Sequence, residues 1–345
     1  MAILSKPIAV PEWKSPASIW LAWPNQSETW PGTNPAGRPR IESVRDDYVA
    51  LINQISKSTF VELIVDPTHE SVARDRLRDC PGVRIHVIEH NDVWIRDFGP
   101  SFVRDDVNGK LNAISWRYNA WGGKYPPWEN DDRLAEYMAD HADVICVQSD
   151  LCLEGGAIEI DGRGRMITTP SCLITETRNP GWTKARIARE FHSRLGVEEI
   201  VWMDGGGLIG DDTDGHVDQL ARFINPEVVV VATADEHDDN HGQLRQNQLQ
   251  LELWGGQTMP RIDVHALRIP PPRFIDDQRV PESYCNFVRL GLDRIMMPTF
   301  DAETDEPARR TLERLSGCTV ETFDCRNLVW GLGSLHCCTR EQPLA

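Results

Sequence analysis

Short runs dense in apolar and β-branched residues recur along the chain: VELIV (61–65), VRIHVI (83–88), AIEI (157–160), RMITT (165–169), EEIVW (198–202), VVVVAT (228–233), RIDVHAL (261–267), RIMMP (294–298) and TVETF (319–323). Their length and residue types predict strands. Between them the apolar positions change period. Over 41–56, Val44, Tyr48, Leu51, Ile52 and Ile55 fall about a helical turn apart, and 183–195, 241–253 and 304–315 show the same spacing. Asp305-Glu306-Pro307 gives the last of these an acidic, proline-started first turn. From Glu154 onward the order repeats three times: a hairpin-like pair, a helix, a strand, then a segment that opens with polar residues. The segments from Ile19 and from Val93 read as two earlier units. About five units of roughly 50 to 75 residues predict an α/β fold repeated around an axis. An ordinary open α/β sheet is the competing arrangement, and periodicity alone divides the two evenly.

Composition narrows the class of ligand. The 345 residues carry a formal charge of −17, with hydrophobic residues at 40% and charged residues at 26%, which excludes a disordered or collagenous chain. No linker or low-complexity stretch divides the sequence, so one domain over residues 1–345 is expected. The acidic balance repels phosphate backbones and anionic membranes and attracts cations. A cationic small molecule is the expected partner, with no nucleic acid and no membrane. No apolar run reaches about 18 residues, and MAILSKPIAVPEW breaks its apolar stretch at Lys6, Pro7 and Pro11, so a cytoplasmic protein is expected. The nine cysteines are odd in number and lack a CxxC pair, which argues against a disulfide framework or zinc ribbon.

Reactive side chains cluster where the units open: WIRDFGP (94–100), EGG (154–156), DTDGHVD (212–218), SYCNF (283–287) and GLGSLHCCT (331–339). If those openings meet at an axis, one site collects Asp97, Glu154, His216, Asp218, Asn286 and Cys337. On a strand, His216 and Asp218 would share a face, and of the Cys337-Cys338 pair at most one would face a given site. Each residue also has a structural reading. Asp97 could pair with Arg96 to pin a turn, Glu154 could be the polar edge of a loop, and Asn286 could be a buried amide. Together, the carboxylates suit a flat, permanent cation, because each accepts two parallel hydrogen bonds from a guanidinium. Trp94, Trp23, Trp30, Trp121 and Trp128 could add aromatic faces. DGGGLIGDD (204–212) lacks both the P-loop Lys-Ser/Thr and GxGxxG spacing, which argues against nucleotide binding. A metal held by His216, Asp218 and Glu154 has no supporting spacing, so no metal and no cofactor are expected.

In order and over essentially the whole chain, WLAWPNQSETWPG (20–32), WIRDFGP, NAWGGKYPPW (119–128), EGG, TDGHVDQLARF (213–223), SYCNF and GLGSLHCCT resemble the agmatine deiminase and bacterial peptidylarginine deiminase family of guanidino-group modifying enzymes. The resemblance implies a five-bladed α/β propeller with pseudo-fivefold symmetry. It implies hydrolysis of a small guanidino compound, agmatine giving N-carbamoylputrescine and ammonia. Cys337 would be the nucleophile, His216 the general acid/base, and Asp97 and Asp218 the guanidinium ligands. Glu154 would be the carboxylate near His216, with Asn286, Trp94 and Trp121 completing the substrate site; a homodimer is compatible. NAWGGKYPPW is shorter than the family's corresponding loop, Leu332 stands where the family often has glycine, and Cys338 where an aliphatic residue is common. Deimination of free or peptidyl arginine, amidino transfer and non-enzymatic guanidine binding are the competing functions.

Overall fold

The computed structural model describes residues 6–344; the reading of the first five residues lies outside them. Five mixed sheets share one pairing rule, an antiparallel pair followed by a parallel one. Ser101–Asp105, Leu111–Arg117 and Ile145–Cys152 form one, with Pro7–Ala9 added on its edge. Ile158–Ile160, Arg165–Thr168 and Glu199–Trp202 form the next. Ala221–Asn225, Val228–Thr233 and Asp263–Arg268 form the third. The fourth comprises Val288–Arg289, Arg294–Thr299 and Thr319–Asp324. In the fifth the antiparallel partner comes from far along the chain: Arg340–Pro343 pairs with Pro16–Ala22, which runs parallel to Phe60–Val65 and then Val83–Val87.

Parallel neighbours require a crossover, and each sheet supplies one as a helix. These helices are Arg40–Ser56, Leu134–His141, Lys184–Leu195, His241–Gln257 and Asp305–Ser316. Local chemistry sets their ends. Thr183 caps the third by accepting from Arg186 N, and Gly196 stops it in the left-handed conformation at φ 68°. The central strands are apolar on both faces, as Val229, Val230, Val231 and Ala232 show, all fully buried between layers.

All nine expected strands and all four expected helices are present. The sequence left Ser101–Asp105, Leu111–Arg117, Ile145–Cys152 and the eight-residue helix Leu134–His141 unassigned. LNAISWR is buried at six consecutive positions although it mixes Asn and Ser with apolar residues, so it shows neither alternation nor an apolar run.

Candidate active site

A cavity of about 470 Å³ opens among the segments joining these sheets. Asp97 and Cys337 lie on its wall with Trp94, Trp121 and Trp128. Trp23 and Trp30 do not line it; both are fully buried in the core.

Asp97 sits on the single helical turn Ile95–Phe98 and is buried. Its neighbour Arg96 does not pair with it. Arg96 points the other way, to Glu12 at 2.9 Å and Glu341 at 2.7 Å, leaving both Asp97 oxygens to the site. Asp97 Oδ1 accepts from Gly156 N at 3.0 Å and Oδ2 from Trp121 Nε1 at 2.9 Å. Trp121 is aimed by an unusual backbone. Ala120, Trp121, Gly122 and Gly123 all have positive φ (50°, 56°, 86° and 83°), a left-handed turn that Asn119 closes by accepting from Gly122 N. The two non-glycine members cost about 1–2 kcal/mol each, a local strain that the surrounding contacts must hold.

The glycines after Glu154 have a steric cause. A Cβ on Gly156 would stand 2.6 Å from His216 Nδ1, 2.9 Å from Asp97 Oδ1 and 3.0 Å from Asp218 Oδ2, and one on Gly155 would strike the Arg96 carbonyl. Glu154 itself is wholly buried, its Oε1 held at 2.7 Å by Arg178, which also binds Asp214 and the Thr213 carbonyl. His216 lies between two carboxylates, with Nδ1 3.6 Å from Asp97 Oδ1 and Nε2 3.6 Å from Glu154 Oε2.

His216 and Asp218 are not on a strand. Gly215 at φ 100° turns the chain into the 3-10 turn Val217–Gln219, and the side chains converge because of that turn rather than by strand alternation. The same correction applies to Cys337, which lies in the turn around 335–338. One cysteine of the pair lines the cavity, while Cys338 is buried with its thiol toward the Leu335 carbonyl. His336 does not turn away from the site as strand alternation would require, since its Nδ1 is 2.8 Å from Asp218 Oδ2. Asn286 combines both of its readings. Its Oδ1 accepts from Ser334 Oγ at 2.7 Å and His336 N at 3.0 Å, fixing the loop, and its Nδ2 donates to Cys337 Sγ at 3.2 Å. Asp218 Oδ2 lies 3.7 Å from the same sulfur.

Burial and crowding of charge set the protonation states. Burial pushes the Cys337 thiol well above its ordinary range, and Asp218 and Asp97 push it further. Burial also lifts Asp97 to about 6 against the pull of His216. Burial works against a charged His216, but Asp97, Glu154 and Asp218 outweigh it and raise the ring to about 9. Glu154 is held below its usual range despite burial, by His216 and Arg178, and Asp218 likewise by His336, His216 and Arg222. Among the described residues, Glu154 Oε2, Asp218 Oδ1 and both ring nitrogens of His216 are buried without a hydrogen-bond partner. Buried polar atoms are rarely left so, and four together mark a place for a hydrogen-bonding ligand.

Glu154, His216 and Asp218 do not form a metal-like set. Among the described residues the cluster with ligand atoms mutually within 4.8 Å is Glu62, His86 and His141, on other elements. Arg178, His336 and Glu12 are the participants that sequence reasoning missed. His336 had a signal in its adjacency to Cys337; Arg178 and Glu12 had none, because their partners are distant in sequence.

The family model of the Porphyromonas-type peptidyl-arginine deiminase matches residues 8–343. The agmatine deiminase of Pseudomonas syringae pv. tomato is 32% identical, over 96% of this chain and 94% of that protein. Among solved structures, C. jejuni agmatine deiminase, in a cysteine-to-serine form with substrate bound, superposes with a TM-score of 0.87 at 28% identity, covering 97% of this chain and 96% of that one. Agmatine deiminase of Enterococcus faecalis gives 0.88 at 26% identity, covering 98% and 96%.

Proposed function

The chain belongs to the Porphyromonas-type peptidyl-arginine deiminase family, and from that premise we propose that it hydrolyses the C–N bond of a small guanidino compound, agmatine foremost, giving the ureido product and ammonia. The observation that carries this reading is the set of unpartnered carboxylate and imidazole atoms on Glu154, His216 and Asp218, the last of which reaches the Cys337 sulfur at 3.7 Å through its other oxygen.

Asp97 and Asp218 take the guanidinium by paired hydrogen bonds and bring its central carbon to Cys337. The bound cation offsets the burial and negative charge that keep the thiol protonated, and the thiol proton leaves to solvent. The sulfur attacks, forming the C–S bond. His216, protonated at neutral pH, donates its proton to the departing nitrogen; the C–N bond breaks, ammonia leaves, and a thiouronium remains on Cys337. Neutral His216 then takes a proton from water as the C–O bond forms. The adduct expels the thiolate, which takes a proton back from solvent, and its hydroxyl proton passes to the released ammonia. Guanidinium and water thus give a ureido group and ammonium.

The walls favour agmatine over arginine. Glu28, Asp92, Asp131 and Asp212 line the cavity, and the cation among the described lining residues, Lys124, is committed to Asp214 at 2.8 Å and to the Asp212 carbonyl. A terminal ammonium suits that lining; an α-carboxylate does not. In this reading residues 1–345 act as one catalytic domain, and the five sheets are the blades of a propeller with its site on the axis, supported by their common pairing rule. Cytoplasmic location agrees with the finding that no described helix is long and apolar enough to cross a membrane.

Ammonia release from agmatine, arginine and a blocked peptidyl-arginine, with EDTA present and Cys337→Ser as control, tests the proposal. Release with agmatine and not with the others is expected. Equal release from the peptide reassigns the substrate, and silence with all three removes the hydrolase reading.

A further inference from the structure

The turn carrying Cys337 is held from behind by a residue near the start of the sequence. Glu12 lies in the bend between Pro7–Ala9 and Pro16–Ala22, its side chain 17% exposed. Its Oε1 stands 2.7 Å from His336 Nε2 and 2.9 Å from Arg96 Nη1, and its Oε2 accepts from Arg222 Nη2. The other nitrogen of His336 is 2.8 Å from Asp218 Oδ2, which in turn lies 3.7 Å from Cys337 Sγ. A continuous line of contacts therefore runs from Glu12 through His336 and Asp218 to the nucleophile.

The dependants of Glu12 are unequal. Arg96 keeps Glu341 through two contacts, at 2.7 and 3.3 Å, and Arg222 keeps Glu159 at 2.9 Å together with the carbonyls of Cys285 and Phe287. Both guanidiniums stay paired if Glu12 is lost. His336 Nε2 has no such substitute among its hydrogen bonds to the described residues. A carboxylate faces each ring nitrogen, so both contacts are hydrogen bonds when the ring carries both protons; a neutral ring can serve one of them.

We propose that Glu12 is a positioning residue for the deimination: it anchors His336 through Nε2, and the ring in turn, through Nδ1, holds Asp218 oriented toward the guanidinium. The inference rests on the function proposed above. Two further observations agree with it. Asp218 is held below the usual carboxylate range although burial opposes this, with the His336 hydrogen bond and charge the leading counterweights. Glu12 is held well below its range against burial by Arg222, His336 and Arg96. The charged groups that face the ring come from several elements: Glu12 from the bend, Asp218 from the 3-10 turn, and Glu159 from strand Ile158–Ile160. On the positive side stand Arg96, whose Nε donates to the His336 carbonyl, and Arg222.

The test uses the full chain and its kcat and KM with agmatine, beside thermal unfolding, for wild type, Glu12→Gln and Glu12→Asp. Glu12→Gln is expected to fold and to lose about 10²-fold in kcat/KM, because an uncharged amide holds the His336 ring, and through it Asp218, less firmly. Glu12→Asp keeps a charge for both arginines and for the ring but withdraws it by one methylene, and should lose less. A merely structural role would lower the unfolding temperature without changing kcat/KM of the folded variant. Wild-type kcat/KM for either folded variant overturns the proposal, and if Glu12→Gln fails to fold, Glu12→Asp decides. A silent wild type, by contrast, removes the functional reading itself.

Discussion

Two regions of the molecule bring histidine and glutamate together, and they end differently. Around Glu62 every contact is made: Glu62 bonds His86 at 2.7 Å and Arg84 at 3.1 Å, His86 bonds Tyr137 at 2.9 Å, and Trp20 stacks on the His86 ring at 4.9 Å. Around His216 the nearest carboxylates stop at 3.6 Å, and the ring has no hydrogen bond among the described residues. The same residue types fasten strand to helix in one place and leave buried hydrogen-bonding atoms unpaired in the other. Residue identity therefore does not distinguish a structural cluster from a reactive one; unmet hydrogen-bonding capacity does.

Cys337→Ser is expected to lower agmatine turnover by about 10³-fold or more while equilibrium binding of agmatine persists; turnover within tenfold of wild type would remove the contrast. Glu62→Ala, on the satisfied side, should leave kcat/KM unchanged and destabilise the fold by about 3 kcal/mol, read by denaturant unfolding. A variant of normal stability with lost activity would reverse the two roles. Gly156→Ala places a methyl group 2.6 Å from His216 Nδ1 and should reduce kcat/KM by about 10²-fold, with a stability loss of about 1–3 kcal/mol.

Two limbs should bound the kcat/KM profile of the free enzyme, an acid one at about 6 from Asp97 and an alkaline one at about 9 from His216. The same His216 shift carries a stability sign. Its folded value lies above the unfolded one, so the stabilisation is complete below about 6.5 and is lost as pH rises to about 9. His216→Gln should flatten the fall in unfolding temperature over that interval. The smallest effect belongs to Leu332→Gly, which replaces a leucine at φ 68° and should stabilise the chain by about 1 kcal/mol, measured by thermal unfolding.

Much of this was legible in the sequence, for definable reasons. Units that repeat a hairpin, a helix and a strand write their period into the chain, so the later sheets could be read from 154 onward. Asp97, Glu154, His216, Asp218, Asn286 and Cys337 stand beside glycines and aromatics that mark segment openings, and the structure places these six close to one another. What misled was the local backbone. HVD alternates like a strand and folds as a 3-10 turn, because Gly215 at φ 100° redirects the chain, and neighbouring letters do not encode that torsion. Arg96 beside Asp97 suggested an ion pair, yet its partners Glu12 and Glu341 lie 84 and 245 residues away. Long-range pairs of this kind, like Arg178 with Glu154, leave no periodic trace.

The pairing of Arg340–Pro343 with Pro16–Ala22 also bears on the order in which the site residues come together. Trp20 and Gln342, hydrogen-bonded across that seam at 2.9 Å, are separated by 322 positions. Closing a loop of that length is slow and precedes the reward of the contacts it makes. As the polypeptide leaves the ribosome, its carboxylates and His216 emerge well before the cysteine. Cys337 is placed beside them when the final strand, Arg340–Pro343, joins Pro16–Ala22, so the cluster is assembled only once nearly the whole chain has been made.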